Sequence, residues 1–147
     1  MLNFAEAMKA RGGLVAFDCN YRPSLWGEDG YGKAKPFYEK MLGLADIVLM
    51  NEKDAMYVLG LPATGTTREE QLEELVPQVA SRYGISAAAG THRSVNGDNT
   101  HSLRGYLYKD GRFNYSDTLT FAVYDRIGAG DAYASGILHG GLSDFAP

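Results

Sequence analysis

The sequence lacks the features by which membrane, secreted and disulfide-bonded proteins are usually recognised. No apolar stretch approaches the roughly 20 residues that a membrane-spanning helix requires. The first residues contain no long apolar run of the kind found in secretory signals. Cys19 is the sole cysteine, so an intrachain disulfide is excluded and a reducing compartment is favoured. We therefore expect a cytoplasmic protein without a membrane partner.

An excess of positive charge is also missing. The 147 residues include 14 Lys and Arg against 18 Asp and Glu, which gives a net charge of −4. Proteins that hold nucleic acid by bulk charge are basic, so we expect no nucleic-acid partner. Apolar residues make up 45% of the chain, which is enough for the core of a single domain over residues 1–147.

Short apolar runs alternate with segments of helical periodicity. The pattern predicts helices over 2–11, 34–44, 51–59, 67–83 and from 130 onward, and strands over 14–17, 47–50, 85–89, 103–108, 112–115 and 121–124. Residues 18–29 are expected to form a loop. Thr67 and Glu70 have the spacing of a capping box, and Pro77 should kink or split the helix that follows. Asp110 and Gly111 predict a hairpin turn.

This alternation predicts an α/β fold with a mostly parallel sheet, helices on both faces and one β-hairpin. Ligands of such sheets bind beyond the carboxyl ends of the strands. Polar clusters follow three of the predicted strands, at residues 18–22, 51–54 and 125–131. We expect these clusters to share one crevice.

The segment 125–131 contains a glycine-rich turn between a predicted strand and a predicted helix. Its glycines leave backbone N–H groups uncovered at a helix N-terminus, which is a site for phosphate. Asp131 would stand beside that site and could accept a proton from an attacking hydroxyl. A Walker A loop is excluded because no Gly-Lys-Ser/Thr occurs, and Tyr133 spoils a dinucleotide fingerprint. The alternative is an ordinary helix start with Asp131 as a partner of the helix dipole.

The same segment resembles the second signature of the PfkB, or ribokinase-like, carbohydrate kinases. The resemblance implies that Asp131 is the base that deprotonates the sugar hydroxyl. It also implies that Gly128, Ala129 and Gly130 form an anion hole for the transferred phosphate, and that ATP and Mg²⁺ are the cofactors. Asp125, at the start of the segment, is expected among the residues linked to the metal.

Residues 17–26 resemble a segment that 2-keto-3-deoxygluconate kinases carry at mid-chain. The resemblance implies that Asn20 and Arg22 approach the ATP phosphates and that Arg22 also reaches an acidic sugar. Cys19 stands where the family usually has proline. A guanidinium group offers a fixed fork for phosphate or carboxylate. The alternative is that Arg22 is an ordinary surface arginine.

Asn51 and Asp54 resemble the family's Asn-x-x-Glu motif, which influences magnesium and phosphate binding. Because Asp54 is one methylene shorter than the usual Glu, we expect at most a water-mediated metal contact. The alternative is a helix N-cap followed by exposed charges.

The resemblance extends from Gly13 to Leu142, whereas family members are considerably longer. We therefore expect a truncated ribokinase-like fold without the N-terminal half and lid, and marginal stability. The function implied is ATP-dependent phosphorylation of a sugar or sugar acid, with 2-keto-3-deoxygluconate as the first choice. The alternatives are a fructokinase- or ribokinase-type substrate, or a non-catalytic nucleotide-binding fragment. Besides sugar acid and ATP, the partners expected are a homo-oligomer or a complementing N-terminal half.

Overall fold

A six-stranded mixed sheet organises the chain, in which this computed structural model describes residues 1–125 and 127–143. The helices are α1 (Leu2–Ala10), α2 (Pro23–Trp26), α3 (Gly30–Leu42), α4 (Arg68–Tyr83) and α5 (Ala129–Leu142), with a π-helical segment at Asp54–Val58. The strands are β1 (Ala16–Asp18), β2 (Ile47–Leu49), β3 (Ala87–Val95), β4 (His101–Lys109), β5 (Arg112–Tyr115) and β6 (Leu119–Phe121).

The sheet has a parallel side and an antiparallel side. β1, β2 and β3 are parallel neighbours, whereas β4 pairs antiparallel with β3, β5 and β6. β4 and β5 are joined by the predicted hairpin turn, in which Asp110 and Gly111 both have positive φ angles of 52° and 75°. These angles suit the right-handed twist of the two flanking strands. The predicted α/β fold is confirmed, with the hairpin and its neighbours making the sheet mixed.

One face of the sheet is covered by α1, α3, the π-helical segment and α4. Cross-strand partners Phe17, Val48 and Ala88 share this face, and Val48 is fully buried in the main core. The two long helices on this face contribute fully buried apolar side chains, namely Leu42 from α3 and Leu72, Leu75, Val76 and Val79 from α4. Burying each such side chain stabilises the fold by about 1.5–3 kcal/mol.

The opposite face of the sheet is approached by α5. Gly105 lies opposite Thr91 in the β3–β4 ladder, and a Cβ atom on Gly105 would lie 2.8 Å from the ring of Tyr133 in α5. Side chains alternate along a strand, so Thr91 and Gly105 belong to the face away from α4. None of the residues of α5 is buried. Helices therefore lie on both faces, as predicted, but the two faces are covered unequally.

The ends of α4 and its interior proline follow from local chemistry. Thr67 accepts a hydrogen bond from the Glu70 backbone N–H, and the Glu70 side chain accepts one from the Thr67 backbone N–H, which confirms the predicted capping box. α4 then continues through Pro77 to Tyr83 without a break, so the split considered possible there does not occur. Buried side chains before and after Pro77 hold both halves of the helix against the sheet.

The segment expected to be a loop contains the short helix α2, and this expectation was wrong. Pro23 begins α2 at a position where proline is well tolerated, because its missing N–H would have no helical partner. The ring of Trp26, at the end of α2, stacks on Tyr21 and packs against Tyr38. These aromatic contacts supply the packing that so short a helix needs.

The boundaries of the strands also differ from the sequence prediction. β1 is displaced toward Asp18, and β6 begins at Leu119 rather than at Phe121. β3 continues to Val95, well beyond the predicted residue 89, because β4 pairs with it along its whole length.

No helix in the described part of the chain is both long and apolar enough to cross a membrane.

Candidate active site

A crevice opens at the carboxyl ends of β1 and β2, beside β3 and the start of α5. Its lining includes Asn20, Arg22, Asn51, Asp54 and Gly130, which the sequence pattern had placed in three separate polar clusters. The structure thus brings members of all three clusters to one crevice. The role of each residue there stays a prediction.

The loop after β1 presents Asn20 and Arg22 to this crevice. The Cys19 backbone N–H donates to the Leu49 carbonyl oxygen at 2.9 Å, which continues the β1–β2 ladder by one residue. Asn20 then adopts a positive φ of 36°, a conformation that asparagine tolerates better than most residues, and turns the chain away from the sheet. The buried Tyr38 hydroxyl donates to the Cys19 carbonyl oxygen and fixes this turn.

Arg22 remains available to an anion. Its only hydrogen bond within the described residues is a long one, from Nη1 to the Tyr21 carbonyl oxygen at 3.5 Å, and the salt bridges found there do not include it. Its positive charge lowers the pKa of Asp18 and Asp54, although burial outweighs it in both. A guanidinium group facing a crevice in this way suits phosphate or carboxylate.

Asn51 and Asp54 cap the helical segment that follows β2. Asp54 Oδ2 accepts a hydrogen bond from the Asn51 backbone N–H at 2.9 Å, and Asn51 Oδ1 accepts from the Lys53 N–H at 2.9 Å and, more weakly, from the Asp54 N–H at 3.4 Å. The N-cap half of the alternative is thus present, but two of the charges expected to be exposed after it are not, since Glu52 and Asp54 are buried. One oxygen of each side chain is therefore occupied, while both residues still line the crevice.

The carboxyl group of Asp54 has a raised pKa. Burial is the main cause and raises its pKa to about 6, because the charged form is poorly solvated. The hydrogen bond from the Asn51 backbone opposes this, whereas the nearby charges of Asp18 and Glu52 add to it. Carboxyl groups with a pKa close to neutrality are common in functional sites.

Asp18 is a crevice residue that the sequence prediction did not assign. It ends β1 and lines the crevice. Its pKa is raised, mainly by burial and also by the negative charge of Asp131, against the opposing effects of the Asn20 backbone and Arg22. Its position at the carboxyl end of a strand was the available signal.

The predicted phosphate-binding turn forms the N-terminus of α5. Gly128 is the N-cap, with a φ of 78°, and its carbonyl oxygen accepts from the Ala132 N–H at 2.9 Å. Asp131 lies exposed in the first turn, so its carboxylate is not turned into the core. Asp125 Oδ1 accepts from the Ile127 N–H at 2.9 Å. Arg126 lies outside the described residues.

Two tyrosines attach the start of α5 to the sheet. The Tyr133 hydroxyl donates to the Tyr106 carbonyl oxygen at 2.7 Å, and the buried Tyr106 hydroxyl donates to the Met50 carbonyl oxygen at 2.9 Å. Gly90 leaves room for the Tyr106 hydroxyl to reach the Met50 carbonyl oxygen, because a Cβ atom on Gly90 would lie 2.2 Å from that oxygen. These contacts set the N-terminus of α5 beside the crevice.

In the described ranges 1–125 and 127–143, no group of three or more His, Cys, Asp or Glu side chains is arranged to hold a metal ion. Magnesium bound with a nucleotide needs fewer protein ligands, commonly one or two carboxylates beside the phosphates and water. Asp18 and Asp54 both line the crevice and could fill that smaller role.

Comparisons with known proteins place this geometry in a family. Residues 1–144 match the pfkB family carbohydrate kinases. The structure of a proposed 2-keto-3-deoxygluconate kinase from Enterococcus faecalis is 37% identical with a TM-score of 0.88, and the match covers 99% of this chain and 43% of that one. For the 2-dehydro-3-deoxygluconokinase of Thermotoga maritima, the identity is 24%, the TM-score 0.87 and the coverage 97% and 42%.

A curated relative gives a similar picture. A fructokinase from Salmonella thompson is 26% identical over 133 residues, which are 90% of this chain and 52% of the fructokinase. The chain thus spans about half the length of this relative and less of the two kinase structures. The ribokinase-like fold and the expectation that the chain corresponds to part of it are both confirmed. The chain belongs to the pfkB family of carbohydrate kinases.

Proposed function

We propose that this chain carries the phosphate side of an ATP-dependent kinase that phosphorylates a sugar or sugar-acid hydroxyl, in the cytoplasm. The observation that carries the proposal is the placement of Asp131. It lies exposed in the first turn of α5, beside a crevice that Asn20, Arg22 and Gly130 line. A carboxylate there can accept the proton of an attacking hydroxyl while the helix N-terminus holds the phosphoryl group.

The backbone of Gly128, Ala129 and Gly130 is proposed as the anion hole. The first N–H groups of a helix have no carbonyl partner within the helix, and they point along its axis toward a ligand. The positive end of the helix dipole adds to their attraction for phosphate. Such preorganised donors stabilise the charge that develops on the transferred group.

Arg22 and Asn20 are proposed to hold the phosphates of ATP. Arg22 has no carboxylate partner among the salt bridges of the described residues, so binding an anion breaks no ion pair seen there. Its fork can also bind the carboxylate of a sugar acid in two parallel hydrogen bonds. This second role is the reason to prefer a sugar acid over a neutral sugar.

Mg²⁺ would neutralise charge on the ATP phosphates when bound. Asn51, Asp54 and Asp125 are the predicted metal-linked residues, and Asp18 is proposed in addition because it lines the crevice. Asp54 has one carboxylate oxygen free of the capping bond, and Asp18 lines the same crevice. Asp54 is short for direct coordination and is proposed to act through water.

The preferred substrate is 2-keto-3-deoxygluconate. The support is the 37% identity to the Enterococcus faecalis protein and the resemblance of residues 17–26 to a segment of such kinases. A fructokinase-type substrate is the second candidate, supported by the Salmonella thompson relative. Coupled assays with both sugars at equal concentration distinguish the two.

Substitution of the proposed base gives the direct test. Asp131→Asn should lower phosphoryl transfer about 10²- to 10⁴-fold, which is the usual contribution of general base catalysis. Binding of MgATP, measured by isothermal titration calorimetry, should persist. Asp117→Asn, in an exposed loop, is the matched control and should leave turnover unchanged.

The outcomes separate the candidate functions. Unchanged turnover in Asp131→Asn would refute the assignment of the base. MgATP binding without any turnover by the unaltered chain would support the non-catalytic nucleotide-binding alternative. Neither binding nor turnover would reject both.

A further inference from the structure

Behind the crevice, Glu52 is a buried carboxylate held by two basic side chains. Its side chain is only 1% exposed. Arg68 Nε donates to Oε1 at 2.6 Å, and His92 Nε2 lies 2.9 Å from Oε2. Burial by itself would raise the pKa of Glu52, but the hydrogen bonds with His92 and Arg68 outweigh it and lower the pKa to about 2. Glu52 therefore stays ionised at any ordinary pH.

The two bonds of the Glu52 carboxylate connect three elements of the fold. Glu52 begins the helical segment after β2, Arg68 is the first residue of α4, and His92 lies in β3. Arg68 Nη1 also donates to the Arg93 carbonyl oxygen at 3.3 Å, which bonds α4 directly to β3. We call Glu52, Arg68 and His92 the Glu52 clamp.

The clamp acts where the parallel ladder has ended. β2 pairs with β3 only as far as Leu49 and Ala89. From Gly90 onward, β3 has its antiparallel partner β4 on one side, and among the residues that the structure describes no strand pairs with its other side. Beyond this point, His92 is bonded to Glu52, and the Arg93 carbonyl oxygen is bonded to Arg68 at the start of α4.

Residues next to the clamp line the crevice. Asn51 immediately precedes Glu52, and Asp54 follows it by two positions, while Thr91 immediately precedes His92. The clamp therefore joins the two walls of the crevice from behind.

We propose that Glu52, acting through His92 and Arg68, is a positioning residue that sets the spacing between Asn51–Asp54 and Gly90–Thr91 and thereby the width of the nucleotide crevice. The nucleotide part of this statement rests on the proposed function, whereas the spacing itself does not. Stability alone would be served as well by an apolar side chain, because burying a carboxylate has a large desolvation cost. A carboxylate with two directional bonds fixes a distance, which an apolar contact does not.

Two substitutions separate the length of the Glu52 side chain from its charge. Glu52→Asp keeps the charge but shortens the side chain by one methylene, so it cannot reach Arg68 and His92 together. Glu52→Gln keeps the length and can still accept from Arg68 and donate to His92. A positioning role predicts that Asp is the worse replacement, whereas a role of the charge alone predicts that Gln is worse.

Amide hydrogen exchange gives a readout that does not need nucleotide. In Glu52→Asp, exchange over residues 90–93 and 51–54 should rise about tenfold or more, while Glu52→Gln should stay near the parent. Glu69→Gln is the matched control. Glu69 lies next to Arg68 in the first turn of α4, and the substitution breaks only its exposed ion pair with Arg104 of β4. It should leave exchange in both segments unchanged. His92→Leu is a second test variant, because it removes the bond from His92 to Glu52 and keeps the bond from Arg68 to Glu52. Exchange over residues 90–93 should rise in it too.

Nucleotide binding then tests the consequence. The dissociation constant for MgATP should rise about tenfold in Glu52→Asp and less in Glu52→Gln. Unchanged exchange over residues 90–93 in both Glu52→Asp and His92→Leu would overturn the clamp, and so would a larger effect of Gln than of Asp. If the parent binds no MgATP, the proposed function fails, while the exchange data still decide the clamp.

Discussion

On one face of the sheet, α3 and α4 bury Leu42 and Leu72 completely, whereas α5 on the other face contains no buried residue. The covered face carries the main core, to which α1 and the π-helical segment also contribute. The other face holds α5 through a few contacts, such as the hydrogen bond from Tyr133 to Tyr106. Most of the buried apolar surface, and with it most of the stability, therefore belongs to one side of the molecule.

The residues that stabilise the fold and the residues proposed for catalysis therefore lie largely on different sides of the sheet. The proposed base and anion hole lie on α5, while the crevice wall at Asn51 and Asp54 belongs to the well-packed part. Substitutions on α5 should consequently alter function with little effect on folding, and substitutions under α3 and α4 should do the reverse.

The largest effect is expected from opening the core. Leu42→Ala removes a fully buried side chain and should lower the free energy of unfolding by about 2–5 kcal/mol. Leu142→Ala, at the 69% exposed end of α5, should change it by less than about 0.5 kcal/mol. Urea unfolding followed by circular dichroism measures both. Similar losses in the two variants would show that α5 is packed as firmly as α3.

Paired glycine substitutions should have opposite signs on the two sides. Gly90→Ala places a Cβ atom 2.2 Å from the Met50 carbonyl oxygen and should cost about 1–3 kcal/mol. Gly136→Ala in α5 meets no atom within 4 Å and should stabilise by about 0.5–1 kcal/mol, because alanine favours the helix. Thermal unfolding of the two variants decides this. A destabilising Gly136→Ala would reveal contacts that close over α5.

A smaller, pH-dependent effect should distinguish the carboxylates on the two sides. The folded-state pKa of Asp54, about 6, lies above its ordinary value of 3.8. The folded state therefore binds the proton more tightly than the unfolded state does. Ionisation of Asp54 therefore destabilises the folded state. This destabilisation grows as the pH rises from about 4 to 6. Asp54→Asn keeps an oxygen for the Asn51 N–H and removes this cost.

Asp54→Asn should accordingly be more stable than the parent at pH 8 by an amount on the order of 1–2 kcal/mol, with the difference vanishing near pH 4. Asp131→Asn, exposed on α5, should lose less than about 1 kcal/mol at pH 8. Urea titrations at pH 4.5 and pH 8 provide the measurement. Equal destabilisation of Asp54→Asn at both pH values would contradict the raised pKa.

Local patterns predicted much of the fold. β2 was expected within one residue, because Ile47–Leu49 is an apolar run followed by the helix-capping Asn51. The capping box at Thr67 and the turn at Asp110 were predicted because neighbouring residues alone determine them. α2 was missed because Pro23 and Gly27 indicate a loop, while the packing of Trp26 on Tyr21 decides the outcome.

Non-local contacts explain what the sequence could not predict at the site. The extension of β3 to Val95 depends on pairing with β4. Exposed charges after Asn51 were one alternative, and the burial of Glu52 could not be predicted because its partner His92 is 40 residues away. The crevice shared by Asn20, Asn51 and Gly130 could be expected, since parallel strands bring their carboxyl ends together. The burial that raises the pKa of Asp54 could not.

The stacking of Trp26 on Tyr21 has a practical consequence. Trp26 is the only tryptophan in the sequence, and Tyr21 lines the crevice. The indole ring is therefore one aromatic contact away from the crevice that we propose for the nucleotide. The protein carries its own fluorescent reporter, so occupancy of the crevice can be followed optically without attaching a label.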